Sequence, residues 1–213
     1  LPAWTATAAP ASVRDRKART PSDLGGAKAL AAEGADLPGG ALDALGYGRS
    51  VHLLLEHLPQ LPEAAWVSAA PHILGLEAPG LDPTTVDTAL AEATSVLTAP
   101  DLAPLFQPGG LAEVELTGDS PALGGPMLGI IDHLLIGDTQ VRAVDFKTNR
   151  AVPTCPEAVP DGLLRQMGAY GEMLAALYPG REIVLSILWT RGPVLMDLPR
   201  DLCADALARS TLA

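Results

Sequence analysis

The segment "GIIDHLLIGDTQVRAVDFKTNR" (129–150) alternates in strand fashion on both sides of Gly137-Asp138, yet it carries Asp132, Asp145 and Lys147 among residues suited to burial. Gly-Asp suits a two-residue hairpin turn with glycine in its first central position. On that reading Ile136 pairs with Thr139, Leu134 with Val141, Asp132 with Ala143 and Ile130 with Asp145. The two aspartates are then diagonal neighbours, with Cβ atoms roughly 7 Å apart, and Lys147 lies about 6–7 Å further along its strand. All three share a face with Ile130, Leu134, Ile136, Val141 and Ala143. The shared face requires an even number of loop residues, because a slip of one turns every side chain over.

A carboxylate on such a face must be paired, coordinated or protonated, since an isolated buried charge costs several kcal/mol. A salt bridge from Lys147 to one aspartate is the ordinary solution. It leaves the second carboxylate uncompensated, and a divalent cation between the two would satisfy both.

The surrounding chain reads as one α/β domain. Its 213 residues, 48% of them hydrophobic, suffice for one substantial core. Residues 1–27 are rich in Ala, Pro and Thr, contain the basic cluster "RDRKAR" and show no apolar period, so they read as a linker or extended arm, with the domain proper at 28–213. Helices are expected at 39–58, about 62–76 and about 84–98. Strands follow at 111–118, 126–136 and 139–147, then a helix at 160–180, strands at 181–190 and 193–199, and a short C-terminal helix. Helices, an antiparallel run, a helix and further strands imply a mixed sheet flanked by helices, with an N-terminal helical part.

Composition excludes several classes. The net charge of −11 argues against autonomous non-specific nucleic-acid binding, which depends on Lys and Arg displacing counterions. Between Arg49 and Arg142 there is no Lys or Arg, whereas Arg142, Lys147, Arg150 and Arg165 fall in or near the opening segment. Cys155 and Cys203 are far apart and form no C-x-x-C pair, so neither a disulfide framework nor an iron–sulfur cluster is expected. No apolar run reaches the roughly 18 residues of a bilayer span, and the start lacks a signal peptide's apolar segment, so a cytoplasmic chain is expected. The absence of G-x-x-x-x-G-K-[ST] excludes a P-loop ATP site in this chain. The first residue is Leu rather than Met, which suggests a piece of a longer polypeptide or a processed chain.

"GIID" followed by "VDFKTNR", with thirteen residues from Asp132 to Asp145, resembles motifs II and III of the PD-(D/E)xK nuclease superfamily. "GRSVHLLLEHL" upstream and "RQMGAY" downstream resemble the G-x-x-x-H-x-x-x-E and Q-x-x-x-Y elements of its RecB-type branch. Together with "DLGGAKAL", "YPGREI" and "LWTRGPVLMDLP", these look like the C-terminal nuclease domain of alphaproteobacterial AddA-type helicase–nucleases, over residues 24 to 200.

The resemblance implies a restriction-endonuclease-like core and assigns roles. His52, Asp132, Asp145 and the backbone carbonyl of Phe146 would hold Mg²⁺ or Mn²⁺, for which hard oxygen ligands and one imidazole are suited. Lys147 would hold or deprotonate the attacking water, a task that arginine, permanently charged, performs poorly. Gln166 and Tyr170, four apart on one helix face, would act with them, or are ordinary polar residues of an amphipathic helix. Arg150, Arg165 and Tyr170 would contact the nucleic acid. Glu56, one turn beyond His52, would orient it or simply be solvated, and of Glu113 and Glu115, which lie one strand earlier on one face, Glu113 is the acidic residue expected there. His57, His72 and His133 read as structural.

The expected activity is metal-dependent hydrolysis of single-stranded DNA by an exonuclease domain in double-strand break repair. The resemblance implies a bacterial cytoplasmic setting, upstream helicase domains of the same polypeptide and an AddB-type partner subunit. The competing readings are a non-cleaving module of the same fold that docks on partner subunits, a nuclease of the same superfamily working outside a helicase complex, and a domain whose Asp145–Lys147 pair is purely structural.

Overall fold

A computed structural model describes residues 18–24, 41–77 and 81–210. Helix α1 (Ala41–His57) buries Val51, Leu54 and Leu55, and Leu58 just beyond its end continues the same helical stripe. After a short turn come α2 (Trp66–Glu77) and α3 (Pro83–Leu97). Asp82 caps α3 by accepting the Thr85 N–H at 3.0 Å, with Pro83 in the first turn where its missing N–H costs nothing. A 3₁₀ segment (Pro100–Phe106), absent from the sequence expectation, leads to β1 (Leu111–Ser120), β2 (Gly125–Ile136) and β3 (Gln140–Lys147). Helix α4 (Asp161–Leu177), β4 (Glu182–Trp189), β5 (Val194–Leu198) and α5 (Arg200–Arg209) complete the described chain.

The five strands form one sheet in the order β1-β2-β3-β4-β5, antiparallel except for β3 and β4. That parallel pair follows from α4, since a crossover helix is the usual way to return a strand in the same direction. Helices α4 and α5 cover one face around Val141, Ala143, Leu185 and Ile187. The other face carries Val144, Phe146 and Leu188 against α1, α2 and α3. The central strands are therefore covered on both sides, which accounts for the nearly continuous apolar sequence of β4. Among the described residues no helix is long and apolar enough to cross a membrane.

The hairpin differs from the expectation in one respect. Four residues, Gly137 to Gln140, separate the last β2–β3 pair, Ile136 with Val141, and a Gly137 N–H to Gln140 carbonyl bond of 2.8 Å closes the turn. The loop is held from outside: the Glu182 N–H takes the Thr139 carbonyl at 2.9 Å and Arg181 takes the Gly137 carbonyl at 2.9 Å. The register is shifted by two, so the parity of the pairing survives. Ile130 and Ile136, expected to be buried, are exposed.

Of the stretch read as a linker, residues 18–24 lie on the domain. Arg19 bridges to β2 through bonds with Pro126 and Leu128, and Pro21 is buried over Gly129 beside Tyr170. This bridge occupies β2 beyond the point where β3 stops pairing with it. Residues 1–17 and 25–27, including most of the basic cluster, lie outside the described residues.

Helices α4 and α5 approach closely at Gly168, where an added Cβ would stand 2.5 Å from the Cys203 carbonyl oxygen. Gly168→Ala is expected to destabilise by about 1–3 kcal/mol, the usual cost of overpacking. Gly75→Ala, in α2 with nothing within 4 Å of the new methyl, is expected to stabilise by up to about 1 kcal/mol. Urea midpoints of the two variants against wild type measure both.

Candidate active site

The sheet is interrupted at Asp132. On the β1 side, Ala112 pairs with His133 and Val114 with Ile131, but Glu113 and Asp132 between them do not pair. Glu113 has φ +48°, a left-handed conformation that is uncommon for a residue with a side chain. The alternation of β2 changes at the same point: Ile131 packs in the core under α4, whereas His133 lies on the opposite face against Phe106 and Phe146. On the β3 side, pairing stops at His133 with Val144. Continued by one residue, that register would set Asp132 level with Asp145 rather than diagonal to it.

Side chains fill this gap. Asp132 Oδ2 accepts the Phe146 N–H at 2.6 Å. His52, from α1, directs Nδ1 to Asp132 Oδ1 at 3.5 Å and Nε2 to the Phe146 carbonyl oxygen at 3.1 Å. The ring also meets Phe146 edge-on, with centroids 5.6 Å apart. Lys147 Nζ forms an ion pair with Asp145 Oδ2 and lies 3.3 Å from the same Phe146 carbonyl. Gln166 donates to Asp145 Oδ1 at 2.8 Å, and Tyr170 donates to the Ile130 carbonyl. Asp145, Lys147, Gln166 and Tyr170 are all buried.

The electrostatics follow from this geometry. Both partners of the His52 ring are acceptors only, so the ring is best satisfied carrying two protons. Burial opposes that charge, but Asp132 outweighs it and holds the His52 pKa above the ordinary imidazole value. Burial likewise works against the Asp132 carboxylate, yet His52, Lys147 and the Phe146 N–H hold it below the usual range. Asp145 is raised, by burial first and then by the Asp132 charge, against the pull of Lys147. Burial holds the Tyr170 hydroxyl well above its ordinary value, so it remains a donor.

Of the residues expected to bind metal, His52, Asp132 and the Phe146 carbonyl converge here. Glu113, expected only in support, brings its carboxylate into the group, and its ligand atom lies within 4.8 Å of those of His52 and Asp132. Asp145 is beside the group, engaged by Lys147 and Gln166. The donor set suits a divalent cation: one imidazole and two carboxylates offer ligand atoms within 4.8 Å of one another, with the Phe146 carbonyl 3.1 Å from the imidazole.

The remaining expectations fare unevenly. Glu56 has His57 at 3.9 Å, and both nitrogens of His52 are already engaged by other groups. Arg165 is tied to Asp161 at 2.9 Å and to the Leu24 carbonyl at 3.5 Å. Arg150 is exposed three residues beyond Lys147. Arg142 pairs with Asp197 and Ser186 and therefore adds no free charge to the site. His133 holds the Leu105 carbonyl at 2.7 Å, a packing role. Glu113's part had a weak sequence signal, its place one strand before Asp132; its left-handed backbone had none.

Residues 26–194 match the family model for the PD-(D/E)XK nuclease superfamily. No curated protein is detectably similar in sequence. Among solved structures, "Crystal structure of SSO0001" is 15% identical over 80% of this chain and 85% of that one, with a TM-score of 0.35.

The His52–Asp132 pair sets a pH dependence. His52 has a raised folded pKa, so its contribution is complete below the unfolded imidazole value and is lost as pH rises through the folded one. Asp132 has a lowered folded pKa, so its contribution is complete above the unfolded carboxylate value and is lost as pH falls through the folded one. The stability difference between metal-free wild type and Asp132→Asn should therefore be largest between about pH 4 and about pH 6.5 and decline on both sides. Urea unfolding of the two proteins across that range measures it.

Proposed function

This chain belongs to the PD-(D/E)XK nuclease superfamily, and we propose that it is a divalent-metal-dependent deoxyribonuclease that hydrolyses phosphodiester bonds of single-stranded DNA. The observation that carries the reading is the convergence of His52, Asp132, Glu113 and the Phe146 carbonyl beside the Asp145–Lys147 pair. His52, Asp132 and the Phe146 carbonyl would hold Mg²⁺ or Mn²⁺, with Asp145 and Glu113 completing the set. The ion would neutralise charge on the phosphoryl oxygens and make water a stronger acid.

The chain's own groups supply the rest. Lys147 carries an ammonium 3.3 Å from the Phe146 carbonyl, where it can hold a water and exchange a proton at Nζ. Asp145 keeps that ammonium in place, and Gln166 fixes the Asp145 carboxylate. Tyr170 secures the β2 backbone at Ile130, two residues before Asp132. Arg150 is the exposed cation of the set for a phosphate of the strand.

The finer setting is part of the same proposal: a nuclease domain of an AddA-type helicase–nuclease in the bacterial cytoplasm, acting as an exonuclease in double-strand break repair. Helicase domains of the same polypeptide would feed it, and an AddB-type subunit would accompany it. The acidic balance supports this division of labour, because a domain fed its strand by a motor need not capture DNA electrostatically. The motif order of Gly48, His52, Asp132, Asp145, Lys147, Gln166 and Tyr170 supports the RecB-type branch.

Calorimetry with Mn²⁺ and Mg²⁺, run together with single-strand cleavage, tests the reading. Wild type should bind the ion, and Asp132→Ala and Asp145→Ala should lose both binding and cutting. Lys147→Ala should still bind the ion while cleavage falls by about 10²–10⁴-fold. A wild type that binds no divalent ion at millimolar concentration would sink the proposal and favour a non-cleaving docking module.

A further inference from the structure

A second polar cluster lies at the ends of β3 and β4, built around Glu92 of α3. The Glu92 side chain is only 9% exposed. One carboxylate oxygen accepts the Tyr47 hydroxyl of α1, and the other meets the Thr190 hydroxyl at the end of β4, both at 2.5 Å. Arg191 approaches Glu92 at 3.9 Å and covers the Tyr47 ring, with its guanidinium carbon 5.1 Å from the ring centroid. The same two turn residues hold the backbone that follows β3. Thr190 takes the Lys147 carbonyl through its N–H at 2.9 Å, with its hydroxyl at 3.1 Å, and Arg191 takes the Thr148 carbonyl at 2.9 Å.

The candidate site is assembled from two bodies. His52 comes from α1, and Phe146 and Lys147 come from β3; the His52 bond to the Phe146 carbonyl spans the junction. The Glu92 cluster spans the same junction through different atoms, with Tyr47 five residues before His52 and Thr190 gripping Lys147 itself. None of its side chains is among the groups that converge at the site. Burying a carboxylate beside two hydroxyls is costly unless the geometry is well determined, so the cluster specifies one alignment of α1 on the strand ends.

We propose that Glu92 is a positioning residue that, through Tyr47, Thr190 and Arg191, sets the distance between His52 and the Phe146–Lys147 segment. The role deepens the nuclease reading and rests on it for its catalytic consequence, although the alignment itself can be observed without metal or DNA.

The test uses the full 213-residue chain as Glu92→Ala, Glu92→Gln and Tyr47→Phe. In the metal-free proteins, the His52 imidazole nitrogen resonances report the bond to Phe146. Glu92→Ala should displace them, and Glu92→Gln, which can still bond both hydroxyls, should restore them nearly to wild type. At saturating Mn²⁺, Glu92→Ala should lower kcat for single-strand cleavage by about tenfold or more, as small misplacements of reacting groups do. KM should stay within about twofold, because no strand contact is removed. If Glu92→Ala does not fold, Tyr47→Phe carries the same comparison.

Unchanged His52 resonances in a folded variant would overturn the positioning role whether or not the chain cuts DNA. A lowered melting temperature with unmoved resonances and unmoved kcat would likewise leave Glu92 a packing residue and overturn it. Displaced resonances in a chain whose wild type neither binds metal nor cuts would instead count against the nuclease reading, with the alignment role intact.

Discussion

The structure around the candidate site depends on one hydrogen bond, from the Phe146 N–H to the Asp132 carboxylate. In a continuous sheet that N–H would be paired along the ladder. Here the β2–β3 ladder ends at His133 and Val144, and a side chain takes the place of the missing partner. The exchange draws Asp132 into the sheet plane, leaves its second oxygen toward His52, and helps to hold the carboxylate charged. A buried N–H must find an acceptor, so this substitution satisfies the backbone and aims a ligand in a single contact.

The neighbouring irregularities are of one kind. Glu113 adopts a left-handed conformation beside Asp132, and the facing of β2 changes there. A regular sheet would send Asp132 and its neighbours strictly to alternate sides; the break lets residues from both layers meet at one point. Strain of this sort persists only where the surroundings determine it. Here those surroundings are the apolar cores on the two faces of the sheet and the paired charges of Asp145 and Lys147.

The elements were largely legible in the sequence. Leucines at helical spacing marked α1, Pro83-Thr84 marked the start of α3, and Pro179-Gly180 marked the end of α4. The two-fold alternation of β3 put Asp145 and Lys147 on one face, whereas the break in the alternation of β2 at Asp132 was not legible. The register across the turn was not legible, because Gly137-Asp138 is locally compatible with a two-residue turn and the four residues between Ile136 and Val141 are held by Arg181 and Glu182, over forty positions away. Nor was the docking of Pro21, since its socket is the absent side chain of Gly129, more than one hundred residues on.

By itself, then, the sequence determined which residue types could do chemistry and, where a strand stays regular, on which side of it they would fall, because side-chain alternation is a local property of extended backbone. Tertiary structure decided what each of them touches. That Asp145 is engaged by Lys147 and Gln166, that Glu113 stands with His52 and Asp132, and that Arg142 and Arg165 are neutralised by aspartates all depend on how separate elements pack. The physical reason is range: a strand's periodicity is written in consecutive residues, whereas the partner of a buried charge is chosen by burial and by whichever opposite group the fold brings within reach.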